Sequence, residues 1–365
     1  MRIIGTDGRT VLDASNAVGS PKWDKVFTVT GATLRTLDGT TGATISEQDL
    51  PATGLRPMAG SIDGEWVALS DAPTRVGDGV MEPGQERTTV VVAPSRPDPS
   101  RPQQTMVLVG NFTPEAFSVD DRRLFVIEYL PPLNPDRYRV RQLDIGGAKP
   151  GPVLTFEKVD DTEEMRGLSR TQVLSPTVTG GPFLYTLYTK IQGDDAQYGF
   201  VHVLQLGGGL VHCIDLPATL GLDQKGGSIA LSPDGTRLYV ASATGTVAEL
   251  DTTQNLSSHA PFPILRTTTV ATPATPASST AISVDGSKLW VALGSAIVSV
   301  DRRDLQPGLR LTVDGPVAAL APGPSGSLVA ATTTGLVLVD TASAAQRLLA
   351  AITPPVRHLA VSPAS

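Results

Sequence analysis

At 365 residues, with a net charge of −7 and an isoelectric point near 5.2, the chain is too acidic to take nucleic acid as a general partner, since phosphate binding needs a basic face. A 40% hydrophobic content supports a large core, while 36 glycines, 30 prolines and no long stretch of helical periodicity point to many short strands between tight turns. One cysteine, Cys213, excludes an internal disulfide and reads as a small buried hydrophobe in the apolar strand 210–216; no run reaches transmembrane length and no apolar leader opens the chain, so it is expected to be cytoplasmic, or extracytoplasmic if a leader or anchor has been removed.

The first predicted element is a hairpin over residues 2–14 around Asp7-Gly8, feeding a short strand at 16–20. From there one unit repeats. A small residue ends each inner strand at Ser20, Ser61, Ser118, Ser175, Ser232, Ser283, Ala321 and Ser362. The shorter intervals match the ~40–45 residues of a four-stranded propeller blade, and the longer ones require loop insertions. The second strand carries an aromatic at a matched place: Phe27, Trp66, Phe125, Tyr185, Tyr239 and Trp290, with Val329 in the seventh unit. The third often ends in an apolar-Asp pair, as at Asp38, Asp144, Asp251, Asp301 and Asp340. These aromatics are expected to fill the space between neighbouring sheets and the aspartates to serve turns. The clearest copy runs from Ser228 to Thr252, where Asp234-Gly235 and Thr244-Gly245 are each predicted to close a two-residue hairpin. Residues 355–363 form one last inner strand, which with the N-terminal hairpin would build a blade from both termini.

The run Ser-Pro-Asp-Gly-Thr-Arg-Leu-Tyr-Val-Ala (232–241) resembles bacterial YVTN-type and WD40-like β-propeller repeats, and the pattern covers nearly the whole chain. Met165-Arg166-Gly167, Tyr185–Tyr188, Phe200-Val201-His202 and Cys213–Pro217 are similar to a set shared by uncharacterised bacterial propeller proteins, several of them envelope-anchored. The expected fold is therefore all-β: one β-propeller domain over residues 1–365, of four-stranded antiparallel blades. Inner strands count eight blades, seven is the alternative, and both termini close the last. The resemblance implies a cell-envelope setting and no assigned chemistry.

The sequence carries no nucleophile elbow, phosphate loop, paired-cysteine site or dinucleotide fingerprint, and no cofactor or metal is expected. His202 and His212 flank the Gly207–Gly209 turn. If Leu206 faces Leu210 they become diagonal neighbours on one face, but with no third ligand they read as ordinary strand histidines. A different register is more suggestive. Arg56, Arg170 and Arg357 each stand five residues before a marker, where an inner strand begins at one mouth of a propeller channel. Arg166, Lys225 and His358 lie close by in sequence, and Glu115 could pair with one of the arginines. Basic groups converging on one funnel of an acidic protein would attract an anion. The expected function is a monomeric ligand- or protein-binding module, its partner another protein or a small anionic ligand at the channel mouth. The alternative is a lactonase-like propeller hydrolase or lyase acting on a small anion there.

Overall fold

Runs of five to eight residues rich in Val, Leu, Thr and Ala, each closed by a glycine or aspartate turn, favour strands over helices. The computed structural model describes residues 2–4, 10–14, 16–71, 84–147, 149, 151, 164–175, 181–189, 199–222, 226–253, 262–270, 280–352 and 359, the side chains of 2, 3 and 168–170 excepted. A hairpin of β1 (Arg2–Ile4) and β2 (Thr10–Asp13) opens the chain. Sheet one comprises β3 (Ala17–Gly19), β4 (Lys25–Thr30), β5 (Thr33–Asp38) and β6 (Thr44–Asp49), and sheet two β7 (Arg56–Gly60), β8 (Trp66–Ser70), β9 (Arg87–Pro94) and β10 (Gln104–Val109). Sheet three has three described strands, β11 (Asn111–Phe117), β12 (Arg123–Leu130) and β13 (Arg137–Asp144), the predicted fourth strand at 152–159 lying outside the described residues. Sheet four holds β14 (Leu168–Leu174), β15 (Phe183–Thr189), β16 (Gly199–Gln205) and β17 (Val211–Asp215), and sheet five β18 (Gly227–Leu231), β19 (Arg237–Ser242), β20 (Thr246–Asp251) and β21 (Ile264–Thr269). Sheet six has β22 (Thr280–Asp285), β23 (Lys288–Leu293), β24 (Ala296–Asp301) and β25 (Pro307–Thr312), and sheet seven β26 (Val317–Pro322), β27 (Ser327–Thr332), β28 (Leu336–Asp340) and β29 (Gln346–Ala350). Neighbours within each sheet are consecutive in sequence, and the described strands pair antiparallel, as for β18–β19, β19–β20 and β20–β21. The strand predicted at 355–363, and with it the two-terminus blade, lies outside the described residues.

The chain forms two compact units. One is Met1–Gly5, Arg9–Arg166 and Gln205–Val211; the other is Thr6–Gly8, Gly167–Leu204 and His212–Ser365. Within the first, Val67 and Leu69 of β8 pack with Phe27 and Leu34 of sheet one. Ala68, between them, turns to the opposite face and packs with Phe112, Phe117 and Leu124 of sheet three. Sheet two is thus apolar on both faces, which is why its strands read as nearly unbroken hydrophobic runs. Sheet five repeats the arrangement in the second unit: Leu238 and Val240 pack with Tyr185 and Val203 of sheet four, while Tyr239 and Ala241 pack with Ile282 and Leu289 of sheet six. The matched aromatics Phe27, Phe125, Tyr185, Tyr239 and Trp290 are all buried; Trp66 is half-buried beneath the guanidinium of Arg101, 5.5 Å from its ring centroid.

The recurring serine has a defined task. Ser20, Ser61, Ser118 and Ser232 are all buried where the inner strand ends. Each donates its hydroxyl to an aspartate of the following turn, Asp24, Asp63, Asp120 and Asp234, at 2.5–2.6 Å. Each hydroxyl also accepts the backbone N–H five residues on, from Lys25, Trp66, Arg123 and Arg237 at 2.9–3.2 Å. The serine N–H returns to the carbonyl of that same residue, so both ends of the corner are tied twice. The turn at Asp234-Gly235 is accordingly a four-residue loop, 233–236, and that at Thr244-Gly245 a three-residue loop, 243–245, rather than the two-residue hairpins predicted, with Gly235 at φ 71° and Gly245 at φ 87°. The hydrogen bond from Ser232, with that from the Thr236 N–H, lowers the Asp234 pKa to about 2. Aspartates closing third strands act similarly: Asp38 and Asp340 accept two backbone N–H bonds each, Asp251 and Asp301 one.

Replacing Ser232 by Ala leaves the Arg237 N–H without its acceptor and should lower stability by about 1–3 kcal/mol. Urea denaturation checks this, a loss below about 0.3 kcal/mol being the contrary result. Because the Asp234 pKa is depressed, the corner's electrostatic share should be complete above about pH 4 and vanish as pH falls through about 2.

Candidate functional site

The residues predicted for the channel mouth meet different fates. Arg56 opens β7 and is half-buried, and Glu115, also half-buried, sits in β11 at the bulge between Pro114 and Ala116. The strands β7 and β11 lie side by side, which brings Arg56 and Glu115 onto neighbouring inner strands. Arg166 is exposed just ahead of β14, and Arg170 is the third residue of that strand rather than its first. Lys225, Arg357 and His358 lie outside the described residues. Of the seven, Arg56 and Glu115 are the two that fall on adjacent inner strands.

The strand-start end of the first unit carries a second feature that the arginine register does not reveal. One ladder row crosses sheet two from Arg56 through Ser70 and Val90 to Met106. Beyond that row β10 continues to Val107 and Val109, which are 52% and 75% exposed, while Met106 and Leu108, alternating with them, are buried. Next to this edge lies the loop after β12, Pro131-Pro132-Leu133, with Leu133 54% exposed. The segment 84–86 joins the two. The Gln85 N–H donates to Pro132 O at 3.0 Å, and Glu86 O accepts from the Gly110 N–H at 2.7 Å. Thr88 Oγ1 donates to Gly110 O at 2.8 Å and accepts from Gln85 Nε2 at 2.6 Å. Gly84 is required here, because a Cβ on it would stand 1.8 Å from Leu133 O. Three large apolar side chains are thus held on backbone fixed from both sides. Exposed apolar groups on such a scaffold gain free energy by burying themselves against a partner without first ordering a loop.

Elsewhere the ionic clusters are engaged in joining strands. Glu249 of β20, buried, pairs with Arg266 directly opposite on β21 and with Arg237, and accepts from the Tyr239 hydroxyl at 3.4 Å. Arg266 also donates to the carbonyls of Arg302 and Arg303, and Arg302 donates to the Tyr239 hydroxyl at 3.0 Å, which ties sheet five to sheet six. Glu128 of β12 binds Arg139 at 2.6 Å and Arg141 at 3.2 Å in the same fashion.

The two histidines of sheet four are not a pair on one face. The Leu216 N–H bonds Gly199 O, so β16 and β17 run one residue out of the predicted register. His212 then falls opposite Val203, on the face where Val203, Ile214 and Phe262 pack, its ring 6.3 Å from Phe262. His202 points to the other face, edge-on to Tyr188 at 6.3 Å, with Phe200 stacked on Tyr188 at 5.1 Å. Among the described residues no three His, Cys, Asp or Glu side chains are grouped to hold a metal ion. Cys213 is half-buried on β17, the outermost strand of its sheet, and not the fully buried group predicted: side chains of an edge strand are covered on one side only.

The sheets define the molecule as a β-propeller. Among solved structures it is similar to Sqt1 of Saccharomyces cerevisiae, with a TM-score of 0.56 at 12% identity over 92% of this chain and 86% of that one. The Cps50 (Swd1) β-propeller domain of Myceliophteria thermophila gives 0.49 at 11% identity, covering 89% of this chain and 95% of that one. Apo AztD of Citrobacter koseri gives 0.43 at 15% identity over 88% and 93% respectively. No family model matches the chain, and no curated protein matches it in sequence. At these identities the likeness shows the fold alone, and the weight rests on the first structure and on the sheets themselves.

Burial, with the neighbouring His212 charge, lowers the His202 pKa to about 4, so its imidazole is neutral at pH 7, and its buried Nε2 has no hydrogen-bond partner. A depressed histidine contributes stability that is full above its unfolded pKa of about 6.5 and is lost as pH falls through about 4. His202→Phe should abolish that loss. Melting temperatures of both proteins at pH 4.5 and 7.5 test it, and an unchanged pH dependence would place His202 in contact with water.

Proposed function

We propose that this chain is a binding module whose working surface is the strand-start end of the first unit, and whose partner is another protein. The observation that carries the reading is the fixed apolar platform of Val107, Val109 and Leu133. A small ligand needs a concave, enclosed site. Exposed aliphatic side chains beside a hydrogen-bonded proline loop suit the apolar centre of a protein interface instead. The setting we propose is the bacterial cell envelope, on the strength of the repeat resemblance, with the propeller as a rigid carrier.

Arg56, half-buried on an inner strand beside the Glu115 strand, favours a second reading, in which a small anion binds at the start of the inner strands. The two readings separate by mutation. For a protein partner purified from the source cell by affinity for the chain, Val109→Glu with Leu133→Glu should weaken binding by about tenfold or more while Arg56→Gln leaves it nearly unchanged. The opposite pattern, with carboxylates or phosphates raising the melting temperature of the wild type and not of Arg56→Gln, would replace the protein-binding reading by the anion-binding one.

A further inference from the structure

Sheets guard their outermost strands with charge, proline or a bulge, because an open edge offers unpaired backbone to any other strand. Among the described residues, β6, β21, β25 and β29 follow that rule. Each bulges against its neighbour, and they carry Glu47 and Asp49, Arg266, Pro307 and Arg310, and Arg347 respectively. β17 carries His212 and Asp215. β10, the outermost strand of sheet two, has none of these devices. Its ladder with β9 runs unbroken from Gln104 to Val109, and residues 102–114 hold no charged side chain.

The hydrogen bonds on either side show which backbone groups this edge presents. Thr89 O accepts the Asp71 N–H at 3.2 Å, so Thr89 turns its groups toward β8 and away from Val107 opposite it. The Gly110 N–H donates to Glu86 O at 2.7 Å, which places the bonds between β10 and β9 at 110, 108, 106 and 104. Thr105, Val107 and Val109 therefore point N–H and C=O outward, and among the described residues no further strand receives them.

We propose that β10 pairs with β10 of a second copy, antiparallel and centred on Val107, making a two-fold dimer rather than the monomer expected from the sequence. The edge complements itself. In that register Val107 lies opposite Val107 of the second copy and Thr105 opposite its Val109, so each outward N–H meets an outward C=O. No like charges meet along the strand, which matters for a chain whose net charge of −7 sets its copies against each other. Directly opposite residues point to one face, so Val107 gains its counterpart as a cross-strand neighbour. The pairing is closed, and neither edge stays open to a third chain. It uses the edge of sheet two and leaves the face uncovered, so it goes beyond the partner-binding platform proposed above, and either can fail alone.

A six-residue strand joined to its copy makes a small interface, for which a Kd of roughly 1–100 µM is expected. Sedimentation equilibrium from about 1 to 500 µM should therefore show monomer passing into dimer. Val107→Pro removes the central outward N–H without touching the β9 ladder, and Val107→Lys sets two ammonium groups opposite each other. Each should weaken the dimer by about tenfold or more. Leu133→Glu, off the edge, should leave it unchanged. Register is read in a Cys213→Ala background. Val107→Cys should form an intermolecular disulfide about tenfold faster than Thr105→Cys, since opposite Cα atoms lie ~5.5 Å apart and those of the two residues 105 more than ~12 Å. Should Val107→Pro fail to fold, Val107→Lys and the cysteine variants decide. A chain monomeric throughout that range, a dimer unmoved by Val107→Lys or broken by Leu133→Glu, or cross-linking as fast at 105 as at 107 would each overturn the pairing.

Discussion

The hydroxyl of a buried serine, shared between a turn aspartate and the backbone N–H five residues on, is the interaction on which sheets one, two, three and five depend. An inner strand must reverse immediately into a second strand that is apolar on both faces, so its corner cannot leave donors buried and unpaired. Serine solves this with a single atom that donates and accepts at once. The aspartate then takes up backbone N–H groups of its own turn, as Asp63 does with Glu65 and Asp120 with Arg122. The result is a corner fixed in position before any contact with the next sheet is made. Sheet four varies the theme across a longer connection, the Ser175 hydroxyl accepting the Phe183 N–H at 2.8 Å.

With corners fixed, the residue that follows them is free to reach outward. Lys25 and Arg123 use that reach to bind carbonyls beyond their own sheets, and Arg266 does so from the opposite edge of sheet five. These contacts carry little energy where they are exposed, but they set the spacing between sheets. Within the first unit the polarity is clear. Serine corners lie where inner strands end, whereas Arg56, the edge valines and the Pro131–Leu133 loop lie where inner strands begin. Serine and aspartate side chains hold one end, with Val119 half exposed beside them, and Val107, Val109 and Leu133 stand exposed at the other, on a scaffold suited to carry a binding surface.

Much of the fold was legible in the residues because the repeat is written in them. The serine markers, the second-strand aromatics and the third-strand aspartates each mark a fixed place, and each has a physical reason to recur. What was not legible turned on register. A slip of one residue between β16 and β17 sends His202 and His212 to opposite faces, and no local pattern near the Gly207–Gly209 turn distinguishes the two pairings. The arginine register depended on how distant strands come together, which spacing along the chain does not encode. The platform did leave a trace: Met106-Val107-Leu108-Val109 is unbroken apolar sequence on an outermost strand, where β6 and β21 place Thr, Ser, Glu or Arg at alternate positions. Its partnership with Leu133 could be seen only in three dimensions, through Gly84 and Gln85.

Backbone amide exchange tests the central claim most directly. If buried serines fix the corners, the N–H groups of Lys25, Trp66, Arg123 and Arg237, all bonded to serine hydroxyls, should exchange as slowly as the amides in the middle of β8 and β19. Exchange of these four amides at the rate of exposed turn residues such as Lys22 or Gly54 would show that the corners open independently of the sheets, and would contradict the account.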